Sequence, residues 1–139
     1  MSHHNSDPVC PACADKLLMA HKDLHDWFID HIKPNFPTAH ISWSFRDQAS
    51  QEQAYADHKS KLHFPYSAHN KMPALALDLF EILESGEGAW NPAFFASINK
   101  YNLDHGIQLK WGAHFRLLGD DDHWQVVEDN APQITIGPK

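Results

Sequence analysis

The sequence holds no apolar run that approaches the ~20 residues a helix needs to cross a bilayer. It also lacks any excess of positive charge: 11 Lys and Arg face 18 Asp and Glu, for a formal net charge of −7. A nucleic-acid binder usually carries a basic patch, and a cationic surface segment for membranes or walls needs one too. No nucleic-acid partner and no membrane insertion are therefore expected. The start of the chain, Met1-Ser2-His3-His4-Asn5-Ser6-Asp7, offers neither the basic nor the apolar region of a secretory signal. The expectation is a chain made in the cytoplasm. Cysteine is scarce. The only two, Cys10 and Cys13, stand as Cys-Pro-Ala-Cys, with no second pair to complete a zinc ribbon. A redox dithiol should follow a strand, and the residues ahead of Cys10 are polar and irregular. The pair reads as two reduced thiols in a flexible leader, residues 1–13, with a Cys₂His₂ site completed by His21 or His25 as the sharper alternative.

What is present is an ordinary globular composition: 139 residues, 42% hydrophobic and 21% charged, without internal repeats. That length fits one domain with a modest core. Leu17, Leu18, Leu24, Trp27, Phe28, Ile29 and Ile32 recur at helical spacing, so one helix is expected from Asp15 to Ile32, ended by Pro34 and Pro37. His40 to Phe45 alternates as a short strand. Ser50-Gln51-Glu52-Gln53 has the pattern of a capping box opening a helix. Ala74 to Phe80 is apolar except for Asp78 and reads as a buried strand. Asn91-Pro92 starts a helix that Gly106 ends. Ile107–Trp111 and His123–Val127 read as two more strands. The expected fold is α+β: a single compact domain over residues 14–130, with a small, mostly antiparallel sheet, helices packed on it, and a tail from 131 to 139.

Chemistry concentrates in two places. His69 lies in an irregular segment, and Asp120-Asp121-Asp122-His123 follows further along. Two imidazoles and one carboxylate can hold Zn²⁺ and leave a position for water, with another carboxylate as base. Asp78, in its apolar strand, needs a partner because a bare buried carboxylate is costly; a metal ion is one. In an extended segment Asp121 faces the same side as His123, so it rivals Asp120 as the base. His21 and His25, one turn apart, could share a metal, but their apolar neighbours favour packing.

The segments Ser67-x-His69, Asp78, Trp111-Gly112 and Asp120-x-x-His123-Trp124 together resemble the zinc D-Ala-D-Ala carboxypeptidase and phage L-alanyl-D-glutamate peptidase family, the LAS-type metallopeptidases. Arg46, ahead of a glutamine-containing helix, resembles the family's Gly-Tyr-Arg-Ser…Gln segment; the glutamine is Gln51 or Gln53. The resemblance covers roughly residues 40–127. It implies a zinc site at the sheet with His69, Asp78 and His123 as ligands and Asp120 as catalytic base. It implies that Arg46 binds a substrate carboxylate or steadies the oxyanion, and that Ser67 lies close to the metal as a candidate for substrate contact. His114 falls near the expected cleft and is a candidate for substrate contact. Trp43, Trp111 and Trp124 are core or cleft walls first and substrate contacts second.

The implied function is zinc-dependent hydrolysis of an amide in the peptidoglycan stem peptide, best matched by an L-alanyl-D-glutamate endopeptidase acting as a monomer. A phage or prophage setting fits, with release to the wall during lysis or carriage on the virion. The alternatives are a D-Ala-D-Ala carboxypeptidase or dipeptidase, and a phage structural protein that keeps the fold without catalysis. Two departures motivate the last reading, and a third accompanies them. Trp111-Gly112 continues as Ala113-His114-Phe115 where the family has Gly-Asp-Trp. His123-Trp124-Gln125 replaces His-Phe-Glu. No glycine precedes Arg46.

Overall fold

The computed structural model describes residues 10–112 and 122–127. Helix α1 (Pro11–Leu17) opens the described chain, with Cys10 as its N-cap and proline at its first position. Proline suits that position because its missing N–H would have no partner there and its φ is already helical. Cys10, Ala12, Cys13 and Leu17 are all buried. The expected leader over residues 1–13 is thus corrected at its end: Cys10, Ala12 and Cys13 belong to the core, where the two thiols pack as small hydrophobes.

The single helix expected over 15–32 is two. The chain straightens after α1, where Ala20 bridges Ala74; the Ala74 N–H donates to Met19 O at 2.8 Å and the His21 N–H to Ala74 O at 2.8 Å. The His21 side chain then caps α2 (Lys22–Trp27), its Nδ1 accepting from the Asp23 N–H at 3.0 Å. A π-helical turn, Phe28–Ile32, and a short α3 (Lys33–Asn35) carry the helix past Pro34. The wider turn accommodates a residue that has no N–H to give.

Strand β1 (Ala39–Trp43) leads to α4 (Gln48–Ala56), which Asp47, not Ser50, caps by accepting from the Ser50 N–H. A 3₁₀ turn over Ala68–Asn70 precedes β2 (Ala76–Ile82) and the two-residue β3 (Gly88–Ala89). Helix α5 (Pro92–Asp104) starts at the Asn91 cap, as expected, and buries Phe95, Ile98 and Asn102 at helical spacing. Gly106 ends it with φ +66°, the left-handed conformation glycine accepts without strain. Strands β4 (Leu109–Trp111) and β5 (His123–Val126) complete the sheet.

The strand order is β1-β2-β5-β4, with β3 beside the end of β2, and all of these pairings are antiparallel. The expected α+β architecture is the observed one. Alternation splits each central strand between two faces. Ile41, Leu77, Leu79, Trp124 and Val126 join the core with residues of α1, α2 and α5. The Trp124 ring centroid lies 5.9 Å from that of Trp27 and 5.9 Å from that of Phe95. Truncating so large a core aromatic to alanine costs about 3–5 kcal/mol. Asp78, His123 and Gln125 take the alternate positions and point away from this core.

Candidate metal centre

Asp78 sits in the middle of the sheet, with Trp43 of β1 as its Cα partner on one side and His123 of β5 on the other. The third group arrives from the 3₁₀ turn. Ser67 caps that turn, its hydroxyl accepting from the His69 N–H at 3.1 Å, while the Asn70 carboxamide oxygen accepts from the Ser67 N–H at 3.0 Å. This capping box aims His69 inward. His69, Asp78 and His123 are each no more than 9% exposed.

The tautomers follow from the outer hydrogen bonds. His69 Nδ1 donates to the Ser44 carbonyl at 2.7 Å, which leaves the Nε2 lone pair facing Asp78 Oδ1 at 3.0 Å. His123 Nε2 donates to Gln125 Oε1 at 2.8 Å, which leaves the Nδ1 lone pair facing the same oxygen at 3.0 Å. Two imidazole lone pairs and a carboxylate oxygen therefore converge on one point. All three are acceptors, so the arrangement calls for a proton or a cation at its centre. His69 Nε2 is buried, and its one close polar neighbour among the described residues is the Asp78 carboxylate. A tetrahedral zinc ion with ligands about 2.0–2.1 Å away separates them by about 3.3 Å, close to the spacing here. The donor set fits zinc, and the Ser44 carbonyl and Gln125 amide are the kind of outer partners that fix ligating histidines.

Burial pushes the His69 imidazole below its ordinary pKa, against the attraction of Asp78, so its neutral ligand form is favoured. Burial alone would raise the Asp78 carboxyl; charge and hydrogen bonds from the two imidazoles, available when the metal-free pocket holds a proton at its centre, outweigh it and hold the group below the carboxylate range. Arg46 adds charge balance. Its Nη2 lies 3.5 Å from Asp78 Oδ2, its Nη1 donates to Gln51 Oε1 at 3.1 Å, and its guanidinium covers the Trp43 ring at 4.7 Å. Gln51 is fully buried and also donates to the Leu62 carbonyl, whereas Gln53 is exposed. Gln51 is thus the glutamine that meets the arginine. A cavity of about 500 Å³ opens over Asp78 and Arg46, with Trp43, His58, Lys59, Trp90 and Asp122 on its walls.

Of the residues singled out in the sequence, His69, Asp78, His123 and Arg46 come together, and Ser67 supports them through its cap. Trp111 stands with the core, its ring stacked 6.3 Å from that of Trp124. Asp120, Asp121 and His114 lie outside the described residues. His21 serves as a helix cap, and His25 is paired with Asp26 at 3.0 Å. Sequence reasoning missed His40: it meets both cysteines, Nδ1 lying 3.5 Å from Cys10 Sγ and from Cys13 Sγ. The signal available was a histidine at the start of an alternating strand.

No family model matches the sequence, and no curated protein sequence matches it. The fold does have a solved counterpart. The chain is similar to the crystal structure of the Serratia marcescens L-Ala D-Glu endopeptidase ChiX, with a TM-score of 0.65 and 20% identity. The match covers 84% of this chain and 87% of that one. The fold is therefore the one adopted by an L-Ala D-Glu endopeptidase, in line with the resemblance carried by the motifs.

Proposed function

We propose that the protein is a zinc-dependent peptidase that hydrolyses an amide bond of the peptidoglycan stem peptide, and that the bond is the L-alanyl-D-glutamate linkage. One observation carries the reading: two imidazole lone pairs and a buried carboxylate converge within 3.0 Å contacts on a sheet whose fold is that of an L-Ala D-Glu endopeptidase.

His69 Nε2, Asp78 Oδ1 and His123 Nδ1 would hold the ion. When bound, zinc supplies Lewis acidity towards a carbonyl and makes water more acidic, to a pKa of about 7. The residues around it do the rest. Ser44 and Gln125 keep both imidazoles in the tautomer that presents a lone pair inward. Asp120, three residues before His123 in the sequence, takes the proton of the attacking water and returns it to the leaving amine. Arg46 faces the cavity and offers a positive group to a substrate carboxylate or to the oxygen that gains charge. Lys59 lines the same cavity, so two basic side chains, Arg46 and Lys59, stand there beside Asp122 on a chain whose net charge is −7. A stem peptide carries free carboxylates at D-glutamate and at its terminus, which suits that basic pair.

The departures after His123 do not count against catalysis at the metal. Gln125 stands where the resembled pattern has Glu, and its amide oxygen accepts the His123 N–H as a carboxylate would. Mass spectrometry of fragments released from defined muropeptides, with and without chelator, tests the proposal. A new amino-terminal D-glutamate, lost on chelation, is the expected result. Release of a terminal D-alanine instead would move the activity to the carboxypeptidase class. Zinc-loaded protein that releases nothing would favour a non-catalytic role on the same fold.

A further inference from the structure

The Cys-Pro-Ala-Cys pair is chemistry that the peptidase site does not use. Cys10 caps α1 and Cys13 lies one turn on, so both sulfurs emerge on the same side of the helix start. His40 reaches them from β1, and all three residues are buried. Both sulfurs stand 3.5 Å from one atom, His40 Nδ1, and the three ligand atoms lie within 4.8 Å of one another.

That spacing is informative. A tetrahedral zinc ion with sulfur at about 2.3 Å and nitrogen at about 2.0–2.1 Å sets a sulfur and a nitrogen ligand about 3.5–3.6 Å apart. A single ring nitrogen has one lone pair or one proton, so it serves one thiol at a time. One cation serves all three atoms together. The Ile41 N–H also donates to Cys13 Sγ at 3.3 Å, the kind of backbone bond that steadies a thiolate ligand. The donor set is soft, which selects thiophilic divalent ions over magnesium or calcium.

We propose that Cys10, Cys13 and His40 form a second, structural cation site, for zinc or a similar thiophilic divalent ion, distinct from the His69–Asp78–His123 centre. Two thiolates cancel the charge of the ion, so the buried assembly is neutral. It ties α1 to β1. Strand β1 runs on to Ser44, whose carbonyl orients His69, so the brace and the reacting site share one strand without sharing a ligand.

Cobalt substitution tests this on the whole 139-residue chain, because that chain has no other cysteines. Metal-free protein kept reduced and titrated with Co²⁺ should develop a near-ultraviolet thiolate-to-cobalt charge-transfer band. Imidazole and carboxylate ligands at the peptidase centre cannot produce that band. His40→Cys should keep the band and strengthen it. Cys10→Ser/Cys13→Ser should abolish it and lower bound zinc, measured by elemental analysis, from about two equivalents per chain to about one. His69→Ala should lose the other equivalent and keep the band. A folded wild-type protein that binds cobalt without any thiolate band overturns the proposal, as does a Cys10–Cys13 disulfide that persists under reducing conditions. Because the readout is spectroscopic, failure here leaves the peptidase reading standing, and loss of cleavage leaves this one standing.

Discussion

Asp78 and His123 are directly opposed across the β2–β5 ladder, and their side chains meet at 3.0 Å on the face turned away from the hydrophobic core. Strand pairing therefore fixes two of the three proposed ligands before any loop is placed. A slip of one residue in this ladder would turn His123 to the opposite face and put Trp124 in its place. The large core contacts of Trp124 make such a slip expensive, so packing on one face holds the chemistry on the other.

Gln125 orients His123, and its removal should weaken metal binding while sparing the fold. Gln125→Leu leaves the His123 N–H without its acceptor. A loss of about 10–100-fold in zinc affinity is expected, as for other outer-partner substitutions. Competition with a chromophoric chelator measures it. Unchanged affinity would mean that His123 needs no such support.

Asp120→Ala should keep the metal at the peptidase centre and lose turnover, by about 10²–10⁴-fold, the usual contribution of a general base. His69→Ala and His123→Ala should instead lose that metal together with activity. Elemental analysis beside a muropeptide assay separates the two patterns. Full turnover by the Asp120 variant would transfer the role to Asp121.

Arg46→Ala should lower kcat by about 10²–10³-fold if the guanidinium stabilises developing oxyanion charge. If it binds a substrate carboxylate, KM should rise and kcat change little. Arg46→Lys keeps the charge but not the paired contacts to Asp78 and Gln51, so it should recover only part of the loss. Steady-state kinetics on a defined muropeptide distinguish these outcomes. A variant with both constants unchanged would make Arg46 a structural residue.

The metal-free protein should lose stability on mild acidification. Burial holds the His69 pKa below its ordinary value of about 6.5. As pH falls below that value, the unfolded chain takes up a proton that folded His69 refuses. The stabilising contribution is thus complete above about pH 6.5 and declines below it, down to the folded pKa. Urea midpoints measured from about pH 8 to about pH 5 should fall, and His69→Gln should flatten that slope. A midpoint that rises with acid would contradict this assignment.

Much of the fold and of the centre was legible because strong local signals agreed with the tertiary structure. Asn91-Pro92 marks a helix start wherever it packs, and Asp78 in an apolar strand announces a partner. The break between α1 and α2 was not legible, since helical periodicity runs through it. It depends on Ala20 pairing with Ala74, a contact more than fifty residues away in sequence. The α4 cap was misplaced by three residues because Asp47 and Ser50 are both good caps, and only the path of the preceding loop chooses. The burial of Cys10 and Cys13 was hidden for a similar reason: His40 becomes their neighbour only when β1 is laid beside α1. Of the two glutamines, helix phase against the Arg46 loop selects Gln51, and sequence alone does not supply that phase.

The most direct measurement is an anomalous difference map from crystals of zinc-loaded protein, collected at the zinc absorption edge. A peak about 2.0–2.2 Å from His69 Nε2, Asp78 Oδ1 and His123 Nδ1 is the expected result. No peak at that point in fully zinc-loaded crystals, or a structure in which those three atoms stand apart, would contradict the account.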